Sequence, residues 1–148
     1  MKIVLGVLDT PHGDDLTTGQ LAQYLEDEYS VMGNFYELHQ KEIAQDFTDG
    51  YARAVNAMLS GKRPVDPFKS ACSKTEARFQ AFIDLAEIEK MGVSGVPTQA
   101  ALDGVRTSLK KKKEIKGKRY YSKVRGTRRA SFFDTGRYAG AFKCWVTR

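Results

Sequence analysis

Residues 1–8, MKIVLGVL, divide between two faces well enough to predict a strand, with Ile3, Leu5 and Val7 on one face and Val4 and Leu8 on the other. Thr10 to Asp15 has turn composition. Thr17 and Gln20 have the spacing of a capping box, and Leu21, Tyr24, Leu25 and Tyr29 then share a helical face. Gly33-Asn34 is expected to break that helix. A second, longer helix is predicted from about Phe35 to Leu59. Its apolar face is Phe35, Leu38, Phe47, Tyr51, Ala54, Val55, Met58 and Leu59, with Ile43 nearby, and it reads as core or subunit contact. Gly61 and Pro64 end it, and residues 61–72 read as a connection. Ser73 and Glu76 suggest another capping box, opening a helix to about Lys90 with Phe79, Phe82, Ile83 and Ala86 inside and Gly92 as its stop. Pro97-Thr98 starts a weaker helix carrying Ala101, Leu102, Val105 and Leu109, with Gly104 as a weak point.

The pattern changes at Lys110. The run KKKKEIKGKR has too few apolar residues to pack by itself and reads as a solvated basic loop, ordered only by a partner. Tyr120-Tyr121 is a possible strand start, and Arg137 to Thr147 reads as a terminal strand. Strand signals thus lie at the two ends with helices between them. The expected fold class is α+β: long helices packed on a small antiparallel sheet built from the N-terminal strand and the C-terminal strands. The 148 residues suit a single domain, 1–148, with a helical region over about 16–109, a basic loop at 110–129 and a C-terminal strand region at 130–148.

Charge sharpens the division. The formal net charge is +6, yet residues 1–105 sum to −7 and residues 106–148 to +13. A chain split in this way is suited to meeting an acidic partner at one end. No run approaches the length of a membrane-spanning helix, so no membrane partner is expected. The first ten residues lack the apolar core of a signal peptide. Cys72 and Cys144 form no CxxC pair and sit in no Cys/His cluster, so they read as two buried thiols in a reducing compartment, with no zinc site.

Candidate chemistry is sparse. Asp9, His12, Asp14 and Asp15 carry metal-ligand atoms, but a loop leading into a helix N-terminus accounts for them more simply. His39 reads as a surface side chain on the polar side of the second helix. The tract Gly92 to Pro97 lacks the Lys-Ser/Thr ending of a phosphate loop. Arg128-Arg129-Ala130-Ser131 has the form of a basophilic kinase site. Phe132-Phe133-Asp134-Thr135-Gly136 has the local form of an aspartic protease motif, but that mechanism needs two such aspartates on a β-rich scaffold. A turn explains it better, with Asp134 bonding the backbone and Gly136 supplying a permissive φ. The expected catalytic, metal and cofactor sites are therefore none. The informative feature is the cation set Lys110, Lys111, Lys112, Lys113, Lys116, Lys118, Arg119, Lys123, Arg125, Arg128 and Arg129, a surface for a polyanion or for another subunit.

The C-terminal order adds a resemblance. Val96-Pro97-Thr98 opens a helix, a basic stretch follows, and then come Ser131-Phe132-Phe133-Asp134-Thr135-Gly136-Arg137-Tyr138. This order resembles small virion-morphogenesis proteins of tailed bacteriophages, of the neck, head–tail joining and tail-completion type. Residues 95–148 carry the resemblance, and the helix from Phe35 to Leu59 looks like the long helix of those proteins. It implies a structural virion protein, assembled in the host cytoplasm as a ring of identical copies at the head–tail junction or tail end, and not an enzyme. Asp134, Thr135, Gly136 and Arg137 would then shape a turn. The basic loop would face DNA passing through the lumen, or clasp portal, connector or tail-tube proteins. Many relatives continue for several strands beyond the motif, so here residues 1–8 and a neighbouring subunit are expected to complete the sheet. A small nucleic-acid-binding protein using residues 110–129 is the alternative.

Overall fold

The computed structural model describes residues 2–11, 16–63, 66–105, 111–115, 118–122, 126–133 and 136–147. The two ends of the chain pair as expected. β1 (Lys2–Val7) runs antiparallel to β4 (Phe142–Thr147), in register from Lys2 opposite Thr147 to Val7 opposite Phe142. Three helices pack beside this ribbon: α1 (Thr18–Tyr29), α2 (Val31–Leu59) and α3 (Lys69–Asp84). The fold is α+β. No described helix is long and apolar enough to cross a membrane.

The Thr17 capping box forms: its hydroxyl accepts the Gln20 N–H at 3.2 Å, and Gln20 Oε1 accepts the Thr17 N–H at 3.1 Å. The helix break falls at Ser30, in the left-handed region, instead of at Gly33-Asn34. The cause is Glu26, whose carboxylate accepts the N–H groups of Met32 (2.7 Å) and Gly33 (3.1 Å). An acid placed on the open N–H groups of a helix start stabilises that start. Asn34 Nδ2 donates back to the carbonyls of Tyr29 and Ser30 at 2.9 Å. The two residues expected to break the helix therefore lie inside the first turn of α2.

α3 begins four residues before Ser73, and no capping box forms there. Glu76 reaches across to β4 instead, accepting the Cys144 N–H at 3.1 Å and Lys143 Nζ at 2.9 Å. α3 also stops at Asp84, short of Lys90, because Ala86 adopts a left-handed φ of 53° before a 3-10 turn over Glu87–Lys90. The tail is divided too. Residues expected as one strand from Arg137 form α5 (Arg137–Ala141) and then β4. Gly136, at φ 72°, starts the turn, and the small Ala139, Gly140 and Ala141 are poor strand formers.

Four fully buried phenylalanines fasten these layers. Phe79 of α3 stacks on Phe142 of β4 at 3.9 Å between ring centroids, and Phe35 of α2 meets Phe79, Phe82 and Phe142 edge-on. Farther along α2, the buried carboxylate of Asp46 accepts Lys74 Nζ (2.6 Å) and Arg78 Nη2 (3.0 Å) from α3.

Candidate interaction surfaces

The basic segment contains an antiparallel ribbon where a solvated loop was expected. β2 (Lys111–Ile115) pairs with β3 (Lys118–Ser122), with Lys113 opposite Tyr120 and Glu114 opposite Arg119. In this ribbon the backbone groups of the two strands pair with each other. Lys111, Lys112, Lys113, Lys118 and Arg119 lie in its strands against the single acid Glu114. Lys110, Lys116, Lys123 and Arg125 lie outside the described residues, as do Asp134 and Thr135 of the turn motif.

The two ends of the segment are drawn together at its base. α4 (Gln99–Leu102) is a single turn capped by Thr98, shorter than the helix expected there. Just after it, the Asp103 carbonyl accepts the Gly126 N–H at 3.1 Å, and the Ala101 carbonyl accepts the Arg129 N–H at 3.1 Å. Arg129 Nε donates to the Val105 carbonyl at 2.9 Å, and its Nη1 donates to the carbonyls of Ala130 and Phe133. Arg128 pairs with Glu89 at 2.9 Å. These two arginines, expected as contact residues, also fasten the base of the ribbon.

Glu89 is the centre of that base. Its Oε1 accepts both the N–H (2.9 Å) and the hydroxyl (2.7 Å) of the fully buried Ser131, whose oxygen accepts the Thr98 N–H at 3.1 Å. Ser131 is therefore not presented as a kinase would need it. Burial favours the neutral Glu89, but the Ser131 hydroxyl and N–H, and then Arg128, outweigh it and hold the carboxyl below its ordinary range. At Asp46 burial is likewise outweighed, by Lys74 and Arg78. A depressed folded value means stability that is complete above the unfolded value, near pH 4, and lost as pH falls through the folded one. Urea midpoints should therefore fall below about pH 4. The double variant Asp46→Asn with Glu89→Gln should be weaker at pH 7, by about 1–3 kcal/mol per site, and show a shallower acid decline. An acid decline as steep in the variant as in the natural chain would contradict this.

A second surface lies along α2. Tyr51 (58% exposed), Met58 (63%) and Leu59 (81%) belong to the face expected as core or subunit contact, and they are open. Ile3 of β1 lines two adjoining clefts. One of about 360 Å³ also includes Phe47, Thr48, Tyr51, Ala52 and Phe68; one of about 250 Å³ includes Leu5, Tyr36, Gln40, Ile43 and Ala44. Both clefts lie beside β1 and α2 and share Ile3. β1 is hydrogen-bonded to β4 on one side alone among the described residues.

No group of three or more His, Cys, Asp or Glu among the described residues is placed to hold a metal. Asp9 caps α1, accepting the Gly19 N–H at 3.0 Å; the Thr17 hydroxyl and then this N–H lower its pKa. His12, Asp14 and Asp15 lie outside the described residues. His39 is half-buried, not a surface residue: its ring packs on Phe35 and Phe82, and Nε2 lies 3.0 Å from Glu87. Of the Asp-Thr-Gly-Arg motif, Gly136 caps α5 and Arg137 is its first residue, so a helical turn precedes the strand. The roles of Glu89 and Glu76 left no sequence signal, since each acts on a partner more than 40 residues away. Comparison with protein-family models, curated proteins and solved structures finds no match to this chain.

Proposed function

We propose that this chain is a structural assembly protein, a subunit of a homo-oligomeric ring at the neck or tail end of a tailed bacteriophage particle, without catalytic activity of its own. The open apolar side chains of α2, with Tyr51 also lining a cleft beside β1, carry this reading. Extended apolar surface of this kind is usually covered by another protein. A strand with one free edge can accept a further strand from a neighbour. The charge split supports copies meeting one another, with an acidic helical part against a basic ribbon. The order of motifs from Val96 to Tyr138 supports the phage setting.

Native mass spectrometry and cryo-EM test the ring. The natural chain should assemble, alone or on portal, connector or tail-tube proteins. Tyr51→Glu with Met58→Glu should leave a folded monomer, because both side chains are already exposed. A natural chain that stays monomeric in both settings would refute the proposal.

The ribbon favours one further reading, nucleic-acid binding, because its strands hold five cations against one acid. That reading requires salt-sensitive duplex binding that disappears when Lys110 to Lys113 are neutralised.

A further inference from the structure

Cys72 and Cys144 are 72 positions apart in sequence, yet their Sγ atoms lie 2.9 Å apart. Cys72 sits on α3 and Cys144 on β4, both buried. A helix rarely meets a strand with two thiols facing each other unless the surrounding contacts fix both backbones. Three contacts do so here. Glu76, one turn after Cys72, accepts the Cys144 N–H. Lys143 pairs with the same carboxylate at 2.9 Å. Phe79, two turns after Cys72, stacks on Phe142. The pair also opens onto a cleft of about 650 Å³, lined by Lys69, Ser73, Glu76 and Trp145 beside the two cysteines. A small oxidant that enters this cleft comes beside both cysteines.

We propose that Cys72 and Cys144 are a disulfide-forming site, closed by a small-molecule disulfide such as oxidised glutathione, which staples β4 to α3. The Cys144 S–H donates to Cys72 Sγ, which favours the thiolate on Cys72 over that on Cys144. The Cys72 thiolate attacks one sulfur of the oxidant, forms a mixed disulfide and releases one glutathione thiolate. The Cys144 thiolate then attacks Cys72 Sγ, forms the internal bond and releases the second glutathione. The two protons lost by the cysteines are taken up by the two glutathione thiolates. The protein loses two electrons and the oxidant gains them.

The surroundings set the pace. Burial raises both thiols above their ordinary range. Glu76 and Asp66 add negative charge, while Lys143 neutralises Glu76 by pairing and Lys69 lines the same cleft. The attacking thiolate is thus scarce at neutral pH, and closure quickens as pH rises. The site stays open in a reducing medium and closes after transfer to an oxidising one.

The test uses the full chain, reduced and then incubated with excess oxidised glutathione at mildly alkaline pH. Intact mass should fall by two hydrogen atoms, and a non-reducing digest should give one peptide pair joined through Cys72 and Cys144. Closing so long a loop should raise Tm by roughly 5–15 °C. Cys72→Ser and Cys144→Ser should show neither the mass loss nor the rise. Because the mass is read on the natural chain, an unfolded variant does not obscure the result. Two free thiols after prolonged incubation, stable glutathione adducts on both cysteines, or disulfides between chains would each overturn the proposal.

Discussion

Phe79→Ala is expected to destabilise the protein by about 3–5 kcal/mol, the usual cost of removing a buried phenylalanine ring. Phe79 is fully buried and touches four other rings: Phe35 on α2, Phe82 on its own helix, Tyr138 on α5 and Phe142 on β4. Each neighbour belongs to a backbone fixed by other contacts, so the cavity cannot collapse without moving a whole element. The loss should appear in urea unfolding, with Tm falling by roughly 10 °C. Leu59→Ala makes the comparison. Leu59 is 81% exposed, and its truncation should change stability by no more than about 0.5 kcal/mol. Similar losses in the two variants would mean that the four rings do not form the centre of the core.

Gly104→Ala should be the other severe change, at about 3 kcal/mol or more. Gly104 has φ 63°, which an L side chain adopts at a cost, and a Cβ there would overlap the backbone of Gly126 and Thr127. Gly92 separates the two effects. It has φ 73° but nothing within 4 Å of a Cβ, so Gly92→Ala should cost only about 1 kcal/mol. The consequence at Gly104 is also local. The crossing of residues 103–105 by 126–129 closes the base of the basic ribbon. Hydrogen exchange at the Gly126 and Arg129 amides, which bond Asp103 and Ala101, should accelerate in Gly104→Ala well beyond Gly92→Ala. Equal losses in the two variants would show that conformation alone matters and that the close approach does not.

What could be read without a structure was local or periodic. The Thr17 capping box is satisfied within four residues, so its pattern is complete in the sequence. The two-faced pattern of residues 1–8 and the β-forming tail were enough to pair the two ends. Where an expectation failed, the competing group was distant or not apolar. Glu26 moved a helix break by three residues, and Ser73 lost its box because Glu76 is engaged by β4. The basic segment read as a loop because composition registers charge but not the pairing of two short strands.

The sequence by itself determined the fold class, the end-to-end strand pairing, the long helices and the division into an acidic part and a basic part. Each rests on periodicity or composition, which the chain carries independently of its three-dimensional path. Only the tertiary structure decided which apolar side chains of α2 stay open, which arginines fasten the ribbon's base, and that Cys72 faces Cys144. Those outcomes depend on contacts between residues tens of positions apart, fixed by one packing of rings and carboxylates, and no local pattern in the chain encodes them.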